Sequence, residues 1–325
     1  MRMPTLSINE LLSSELRELD KQLKARSQTK VEMINTLSDH IISSGGKRLR
    51  PILLMLSAYA SNSKAKGNII DASVVVEFIH AATLLHDDVV DTSKIRHSQD
   101  TANIIWGNKG AVLVGDFLYS RAFEIIVEIN NSMVYETLAK TTNIIAQGEV
   151  MQLMNIGNID LAESLYMNII YRKTAILFEA SAKIGSILSD DDNGNYDDLA
   201  AFGLHFGKAY QLRNDYLDYF GDSGTTGKNA IEDLYEGKAT LPIIHSLSEA
   251  NKDDEELLRK SYADTASANG EVIIKILRKY KSDLYIEKKI LEETNMAISS
   301  IDNLAASKYK DQLISIALFC KDRVS

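Results

Sequence analysis

Two short acidic motifs hold the residues of this sequence that could do chemistry. The first, LLHDDVVD, contributes Asp87, Asp88 and Asp91. Residues four apart in a helix are displaced by about 40° around its axis, so Asp87 and Asp91 share a face and Asp88 lies beside it. Three carboxylates this close would repel one another, and the arrangement suits a hard divalent cation. The alternative is a solvated acidic face, although the flanking residues Ala81–Leu85 are apolar.

The second motif, QLRNDYLDYFGD, places Asn214, Asp215 and Asp218 at the same spacing, near the end of the apolar segment Leu199–Leu217. If the two helices line one cavity, their carboxylates and one amide oxygen could hold a group of magnesium ions. Magnesium keeps several waters and bridges a few carboxylates to substrate phosphates. The predicted ligand is therefore a diphosphate.

Basic side chains beside glycine-containing breaks could contact such a diphosphate directly. Any one lysine is most often solvent-exposed, so the interpretation depends on several of them occurring near the acidic motifs. GTTGK does not have the spacing of a phosphate-binding P-loop. The candidate cations are Lys47, Arg48, Arg50, Arg96, Lys173, Lys228 and Lys238.

Long helices must position these residues. The chain has only three prolines, and proline is common in turns but avoided inside helices. Apolar residues recur at three- and four-residue spacing in segments separated by short polar breaks. These patterns predict an all-α protein with a single domain over residues 1–325, in which residues from about 249 onward form a peripheral helical layer. The predicted helices include 74–90, 113–129, 135–154, 165–188 and 199–220, with breaks that include 107–110 and 263–270.

Composition excludes several classes of protein. The net charge is −9, the wrong sign for binding a phosphate backbone, so nucleic acid is not an expected partner. The single cysteine, Cys320, cannot form an intramolecular disulfide, which fits a reducing compartment. The N-terminus has no apolar signal core, and no stretch reaches about 18 uncharged apolar residues. We expect a cytoplasmic protein without a transmembrane segment.

Together these motifs resemble those of the trans (E) polyprenyl diphosphate synthases, the head-to-tail isoprenoid chain elongators. The resemblance runs from about Leu11 to the C-terminus and is closest to long-chain bacterial octaprenyl diphosphate synthases, which make quinone side chains such as that of ubiquinone. It implies a domain of antiparallel helices around a deep cavity, usually as a homodimer. The matching motifs, in the family's order, are GGKRLRP, LLHDDVVD, GEVMQL, YRKTA, the second acidic motif and EGKATLP.

The resemblance implies an activity for each acidic and basic motif. An allylic diphosphate such as farnesyl diphosphate would be elongated repeatedly with isopentenyl diphosphate, after magnesium-assisted ionisation of its C–O bond. Asp87 and Asp91 would be ligands of two magnesium ions, with Asp88 supporting them. The third ion would be held by Asn214, Asp215 and Asp218.

The same resemblance assigns residues to the two substrates and to the allylic cation that forms between them. His80 lies seven residues before Asp87, and Gln211 lies three before Asn214, so each shares a face with its motif. For His80 a core histidine is the alternative. Isopentenyl diphosphate would be bound by Lys47, Arg50, His80 and the His97 position, the allylic diphosphate by Arg96, Lys173, Lys228 and Lys238, and the cation would face Thr174 and Gln211.

Product length would depend on residues one turn before the first acidic motif. Family members with aromatic residues at the positions of Ala82 and Thr83 stop at short products, whereas both residues are small here. The tail could therefore grow to about forty carbons along this helix. Met151, Leu153 and Met154 are candidates for the floor of the cavity, with ordinary helix core as the alternative.

Three positions depart from the family pattern. His97 follows Arg96 where a second arginine is usual, so one cation is replaced by a group that is mostly neutral at pH 7. Asn214 stands where the second motif usually begins with aspartate, which removes a negative charge from the third metal site. Ile231 stands where the lysine-containing loop usually has glycine, which puts that loop's geometry in doubt.

Other functions remain open on the sequence alone. A shorter-chain synthase differs only in cavity depth. Terpene cyclases share the helical architecture, and Asn214, Asp218 and Asp222 approach the spacing of their second motif, but a cyclase needs no isopentenyl site. A non-catalytic subunit of a synthase is expected to lose the first acidic motif, which is intact here. Consumption of isopentenyl diphosphate separates an elongating enzyme from the last two.

Overall fold

The computed structural model of this protein describes residues 5–43, 46–62, 64, 68–96, 99–189, 195–221, 231–265 and 268–322. Within these ranges the regular structure is helical apart from one small hairpin, in which β1 (Ile95–Arg96) pairs antiparallel with β2 (Gln99–Asp100). The predicted all-α class is therefore confirmed. The predictions for His97, Asp222 and Lys228 lie outside the described residues.

The helices of the first half of the chain follow the polar breaks. They are α1 (Thr5–Leu11), α2 (Ser13–Ser27), α3 (Glu32–Ser43), α4 (Leu49–Ser61), α5 (Ile69–Val90), α6 (Ala102–Ile129) and α7 (Ser132–Met154). The later helices are α8 (Glu163–Ile170), α9 (Ile176–Ile187), α10 (Tyr196–Phe220), α11 (Glu232–Tyr235), α12 (Leu241–Glu249), α13 (Lys252–Ala263), α14 (Gly270–Lys279), α15 (Ser282–Ser300) and α16 (Lys308–Asp322).

Two of these elements differ from their predictions. The segment predicted as one helix over 165–188 consists of α8 and α9 joined by a π-helical turn at Tyr171–Ala175. The break predicted at 107–110 is a kink inside α6, where Gly107 has a φ of 76°, a conformation that glycine adopts without steric cost. The loop predicted at 263–270 is confirmed at its two ends, since α13 ends at Ala263 and α14 begins at Gly270, while residues 266–267 lie outside the described part of the chain.

The chain divides into two compact units, each built from separate segments. The first comprises Met1–Thr142, Phe178–Ala200 and Asn303–Ser315, and the second comprises Asn143–Leu177, Ala201–Asp302 and Ile316–Ser325. The single domain over 1–325 and the peripheral layer after about residue 249 stay predictions.

In the first unit α5 is the central helix. It packs against α2, α4 and α6, and its residues Val74, Val75, Val76 and Phe78 are fully buried. Among the described residues α5 is the one helix long and apolar enough to span a membrane by length and composition, with a mean hydropathy of 1.5 over its best window. However, 67% of that window is buried inside the protein, as in the core helix of a soluble domain.

The second unit has an apolar core of its own. It is formed by the inner faces of α8, α10, α12, α14 and α15, which contribute Tyr166, Leu212, Ile243, Leu277 and Ile286. Apolar residues at helical spacing on these segments predict such a face. This core supports the residues of YRKTA and of the second acidic motif.

Candidate active site

The first acidic motif lies at the C-terminal end of α5. Asp91 is the C-cap residue, and its N–H donates to the Asp87 carbonyl oxygen at 2.8 Å. Both side chains are half-buried. The C-terminal end of a helix carries partial negative charge, so carboxylates there are disfavoured unless a cation lies nearby. The position of Asp87 and Asp91 therefore favours a bound cation.

Asp88 has a different environment. Its side chain is 1% exposed, and Oδ1 accepts hydrogen bonds from Arg96 Nε at 3.0 Å and Arg96 Nη2 at 2.8 Å. Arg96 lies on β1, so the hairpin brings it back to α5. Burial raises the pKa of Asp88, and the charges of Asp87 and Asp91 add to this effect, while Arg96 opposes it. Asp88 therefore anchors Arg96 beside the two more accessible carboxylates.

All three carboxylates of the first acidic motif affect the pKa of Arg96. Burial acts to lower its pKa, but the hydrogen bond and charge of Asp88 and the charges of Asp87 and Asp91 outweigh it, so the pKa is raised. The sequence identified Arg96 as a cation of this site, but not its pairing with Asp88.

The turn after the motif is held by residues that sequence reasoning missed. Asn103 Nδ2 donates to the carbonyl oxygens of Asp88 and Ser93, both at 3.1 Å, and Thr101 Oγ1 donates to Ser93 at 2.7 Å. Thr92 has a φ of 53°, which this turn requires. No spacing in the sequence pointed to Asn103, because its partners are backbone atoms.

The basic residues of GGKRLRP have different roles. Arg48 forms an ion pair with the buried Glu77 at 2.5 Å, so it is a structural cation at the start of α4. Arg50 lies over the ring of Phe178, with 4.3 Å between the guanidinium carbon and the ring centroid. Lys47 is exposed, and His80 is half-buried on α5, about two turns before Asp87. Roles for Lys47, Arg50 and His80 in substrate binding stay predictions.

The two positions predicted to control product length lie on the same helix. Ala82 is fully buried. Thr83 is half-buried, and its hydroxyl donates to the His80 carbonyl oxygen at 2.8 Å. A role for either residue in product length stays a prediction.

The proposed floor residues are mostly at the surface. Leu153 is 53% exposed and Met154 is 78% exposed, so neither is ordinary helix core, and their role as a cavity floor stays a prediction. Met151 is half-buried against the core of the second unit. The spacing of apolar residues in α7 did not show which face of the helix would be buried.

In the second unit, GEVMQL and YRKTA meet side by side. Glu149 pairs with Lys173 at 2.7 Å, and both side chains are largely buried. A Cβ on Gly148 would lie 2.6 Å from Arg172 Cβ and 3.0 Å from the Lys173 backbone nitrogen. Glycine therefore lets α7 approach the π-helical turn that carries Lys173. Sequence reasoning predicted Lys173 but not its partner.

A hydrogen-bonded chain links YRKTA to the second acidic motif. Thr174 Oγ1 donates to Gln211 Oε1 at 3.0 Å, and Gln211 Nε2 donates to Asp215 Oδ1 at 2.7 Å. The Tyr166 hydroxyl donates to Asp215 Oδ2. Asp215 is 3% exposed, and burial together with the charge of Asp233 raises its pKa. Sequence reasoning missed Tyr166, because a tyrosine on the apolar face of a helix is usually part of the core.

Asp218 binds the segment that follows the second motif. Its two carboxylate oxygens accept the backbone N–H groups of Glu232 and Asp233, each at 3.1 Å, and its carbonyl oxygen accepts Ile231 N–H at 2.9 Å. Asn214, one turn earlier, is half-buried. The Asp218 carboxylate therefore stabilises the backbone of residues 232–233. Its role as a metal ligand stays a prediction.

Ile231 adopts a backbone conformation that suits glycine. It has a φ of 65° and is fully buried. A β-branched residue in the left-handed region is strained, whereas glycine is not, so the backbone would suit the glycine that the resemblance implies at this position. The side chain packs against Gly270, where an added Cβ would lie 3.3 Å from Ile231 Cδ1. Burial of the larger side chain offsets the strain at this residue, and residues 222–230 of the lysine-containing loop lie outside the described part of the chain.

Lys238 is held close to the same segment. Its Nζ pairs with Glu236 at 2.6 Å, and its backbone N–H donates to the Asp233 carbonyl oxygen at 2.9 Å. Gly237, before it, has a φ of 71°, and its carbonyl oxygen accepts Gly157 N–H at 2.9 Å. EGKATLP is therefore anchored at its glycine, with the lysine next to an acidic partner.

A metal ion could be held only with help from other ligands. Over the residues that the structure describes, no three His, Cys, Asp or Glu side chains lie close enough together to hold a metal ion. The half-buried Asp87 and Asp91 at the negative end of α5 nevertheless suit magnesium, which takes one or two carboxylates and completes its shell with water and phosphate. The residues present fit such an ion.

Comparison with known proteins agrees with these features. A family model described as polyprenyl synthetase matches residues 31–280. The chain is 36% identical to the octaprenyl diphosphate synthase of Haemophilus influenzae, covering 97% of this chain and 96% of that one. It is also 36% identical to the all-trans-nonaprenyl-diphosphate synthase (geranyl-diphosphate specific) of Rhodobacter capsulatus, covering 96% of each.

Among solved structures, the crystal structure of polyprenyl synthase from Caulobacter crescentus, complexed with calcium and isoprenyl diphosphate, has a TM-score of 0.93 and 33% identity. The match covers 98% of this chain and 97% of that one. Both the sequence and the fold therefore match over almost the whole length. The chain belongs to the polyprenyl synthetase family and is a prenyltransferase of the polyprenyl diphosphate synthase type.

Proposed function

We propose that this protein elongates an allylic diphosphate, best represented by farnesyl diphosphate, through successive head-to-tail condensations with isopentenyl diphosphate. The product is a long-chain all-trans polyprenyl diphosphate. The observation that carries this proposal is the likeness over 97% of the chain to an octaprenyl diphosphate synthase. The three aspartates that a non-catalytic subunit would be expected to lose are present.

In the proposed reaction the allylic C–O bond breaks, and diphosphate leaves with the bonding electrons. The double bond of isopentenyl diphosphate attacks the allylic cation to form the new C–C bond, and a proton is lost to the released diphosphate. Lys173 and Lys238 bind the departing diphosphate by exchanging Glu149 and Glu236 for phosphate oxygens. Thr174 and Gln211 place oxygen dipoles towards the cation, the kind of electrostatic stabilisation that lowers such a barrier.

The enzyme requires magnesium in this proposal, with three ions for each bound substrate pair. Magnesium at these positions would neutralise the negative charge of the departing diphosphate. Asp87 and Asp91 supply accessible carboxylates, and Asp88 supports them by holding Arg96. The second motif, Asn214, Asp215 and Asp218, is assigned to the third ion. Removal of divalent metal with a chelator is expected to stop turnover, and added magnesium to restore it.

We assign octaprenyl diphosphate as the product. The small Ala82 and Thr83 below Asp87 support a product longer than those of family members with aromatic residues there. Incubation with farnesyl diphosphate, labelled isopentenyl diphosphate and magnesium, followed by dephosphorylation and sizing, tests this. A ladder that ends near forty carbons is expected. A ladder that stops at fifteen or twenty carbons would identify a shorter-chain synthase.

The same incubation separates the rival functions. A terpene cyclase or a non-catalytic subunit would leave isopentenyl diphosphate unconsumed, whereas an elongating enzyme incorporates it. The cyclase alternative depends on Asp222, which lies outside the described residues. The intact first acidic motif favours an enzyme over a non-catalytic subunit, and the presence of GGKRLRP and His80, which a cyclase does not need, favours the elongating enzyme over a cyclase.

We also propose that the protein is a homodimer. On α6 the apolar side chains of Leu113, Phe123 and Val127 are 67%, 46% and 70% exposed, more apolar surface than one helix of a monomer usually shows. A second copy of the chain would cover it. Sedimentation equilibrium is expected to give twice the chain mass, and Leu113→Asp is expected to shift the mass towards that of one chain.

A cytoplasmic location and a use of the product as a quinone side chain complete the proposal. The burial of α5 supports a role as a core helix. Cell fractionation is expected to recover the protein without detergent, and deletion of its gene is expected to lower the long-chain quinone content of the cell.

A further inference from the structure

The chain leaves α5 through a tight turn directly after Asp91. Thr92 N–H donates to the Val89 carbonyl oxygen at 3.4 Å. Ser93 N–H donates to the Asp88 carbonyl oxygen at 3.0 Å. These two bonds, with Thr92 in the left-handed region at a φ of 53°, form the Schellman motif that ends many helices. Glycine usually occupies the left-handed position of this motif, so the turn is strained at a β-branched residue.

Two residues at the start of α6 hold this turn. Asn103 Nδ2 donates to the carbonyl oxygens of Asp88 and Ser93, both at 3.1 Å. Thr101 Oγ1 donates to the Ser93 carbonyl oxygen at 2.7 Å. Threonine at an N-cap commonly caps its own helix, but Thr101, the N-cap residue of α6, makes no such side-chain bond. Its hydroxyl therefore stabilises the turn after α5 instead.

The orientation of the Asn103 amide is fixed by its partners. Both partners are backbone carbonyl oxygens, which only accept hydrogen bonds, so the NH₂ group must face them. The residue is 8% exposed, and within the part of the chain that the structure describes its Oδ1 is buried without a hydrogen-bond partner. A buried acceptor left unpaired lowers stability. Stability alone therefore does not favour asparagine at this position.

The turn connects Asp91 of the first acidic motif to Arg96. Asp91 is the C-cap of α5 and directly precedes Thr92. The chain then reaches Arg96 on β1, whose Nη2 returns to the Asp88 carboxylate at 2.8 Å. Asn103 thus holds the backbone of Asp88, while Arg96 holds its side chain. A shift of the turn would change the distance between the Asp91 carboxylate and the Arg96 guanidinium.

We propose that Asn103 is a positioning residue, which clamps the strained turn after α5 so that the Asp91 carboxylate and the Arg96 guanidinium keep one arrangement for a metal-bound diphosphate. The inference rests on the proposed function, because that function brings metal and an allylic diphosphate to these residues. Strained backbone at a functional site persists only where the surrounding structure over-determines it. The Asn103 amide supplies that constraint.

Asn103→Leu is the central variant, because it removes the amide and adds no charge. The carbonyl oxygens of Asp88 and Ser93 keep Ser93 N–H and Thr101 Oγ1 as donors, so thermal unfolding should stay close to that of the wild type. We expect kcat/KM for farnesyl diphosphate to fall about 10- to 100-fold, as when reacting groups are misplaced, and the half-saturating magnesium concentration to rise. The KM for isopentenyl diphosphate should change less than about threefold.

Asn68→Leu is the matched control. Asn68 is the N-cap residue of α5, and its Nδ2 donates to the carbonyl oxygen of Ile129, the last residue of α6, at 3.3 Å. The variant therefore also removes an amide–carbonyl bond between α5 and α6, but at the opposite end of α5. Its kcat/KM and its magnesium requirement should equal those of the wild type.

Metal binding can be measured without turnover. We expect the dissociation constant of manganese, measured by electron paramagnetic resonance with inorganic diphosphate present, to rise about tenfold in Asn103→Leu, as expected when one positioning contact is lost. It should not change in Asn68→Leu. Glycine adopts the left-handed conformation without steric cost, so adding Thr92→Gly to Asn103→Leu should recover about fivefold of the lost affinity. If Asn103→Leu does not fold, Thr101→Val should show a smaller change in the same direction.

Wild-type manganese affinity and magnesium requirement in folded Asn103→Leu would overturn the inference, and so would wild-type affinity in Thr101→Val. A further loss on adding Thr92→Gly, or an equal loss in Asn68→Leu, would overturn it as well. If the wild type did not incorporate isopentenyl diphosphate, the proposed function would fall. The manganese affinities would still decide whether Asn103 positions the turn.

Discussion

At the scale of single residues, Ile231 shows how burial can offset an unfavourable backbone conformation. Its φ of 65° is costly for an L residue, by about 1–2 kcal/mol. Its side chain is fully buried, which offsets that cost. The sequence indicated only that glycine was missing here. The left-handed backbone that makes glycine suitable could not be predicted, because it depends on the bonds between Asp218 and residues 231–233.

Two substitutions at Ile231 separate strain from burial. Ile231→Ala and Ile231→Gly lose the same packing apart from one methyl group, but only glycine relieves the strain. Glycine is usually less stable than alanine by about 0.5–1 kcal/mol in regular structure. At this position we expect the reverse order, with Ile231→Gly the more stable of the two by about 1 kcal/mol. Urea unfolding of both variants measures the difference, and a more stable alanine variant would refute the strain.

His245 gives a pH dependence to the stability of the second unit. Its Nδ1 lies 2.8 Å from Ser282 Oγ, and its ring stacks on Tyr285 at 4.0 Å. Burial lowers the pKa of His245 below 6.5, against the opposing charges of Glu249 and Glu163. The neutral ring is thus the form that the fold favours.

The direction of this pH effect follows from proton uptake. As the pH falls through about 6.5, the unfolded chain takes up a proton at His245 before the folded chain does, so stability is lost. We expect His245→Gln to lose less free energy of unfolding than the wild type between about pH 7.5 and 5.5. Urea unfolding at several pH values measures both curves. Parallel curves would show that His245 carries none of the dependence.

At the scale of elements, the π-helical turn at Tyr171–Ala175 positions Lys173 and Thr174. Such turns often occur at functional sites. Gly148 on α7 lies against it so closely that an added Cβ would lie 2.6 Å from Arg172 Cβ. The turn and α7 therefore form one support for the Lys173 side chain, whose partner is Glu149.

Gly148→Ala tests this support. The added methyl group must push the turn away from α7, so we expect a loss of about 1–3 kcal/mol of stability and a fall in kcat/KM that persists when only folded protein is counted. Gly185→Ala is the matched control, because Gly185 belongs to the first unit and its Cβ would lie 2.1 Å from the Leu54 carbonyl oxygen of the same unit. It should lower stability but not the kcat of the folded fraction. Wild-type kcat/KM in Gly148→Ala would contradict the proposed role of the turn.

The elements also show what the sequence could predict. The helices α5, α7 and α10 are located correctly, because apolar periodicity reports directly on a buried face. The division of residues 165–188 into two helices was not predictable, since a π-helical turn adds one residue to the ring of each hydrogen bond without changing the composition. Likewise the Asp88–Arg96 pair depends on a hairpin of two-residue strands, too short to leave a pattern.

At the scale of the whole molecule, the order of the motifs along the chain was enough to identify the family. Motif order reflects a complete fold, so it is more specific than any one acidic cluster. The roles of Asp215 and Asp218 could not be predicted in the same way. Their partners, Tyr166 and the backbone of Glu232 and Asp233, are distant in sequence or are not side chains.

Product length depends on the path that the growing tail follows through the protein. Ala82→Phe tests whether this path passes Ala82. A ring at this buried position below Asp87 should stop the growing tail, so we expect products shortened by several isoprene units at an otherwise active site. Met133→Phe adds the same ring at a position that is 41% exposed and should leave the product unchanged. Sizing of the dephosphorylated products compares the two. An unchanged length in Ala82→Phe would mean that the tail does not pass this turn of α5.

The most direct test of the account is to count inorganic diphosphate released against isopentenyl units incorporated, with farnesyl diphosphate and magnesium present. We predict one diphosphate for each unit, with both events stopped by a chelator and by Asp87→Ala, whose thermal unfolding should stay close to that of the wild type. Release of diphosphate without incorporation, or incorporation that survives removal of the metal, would contradict the account.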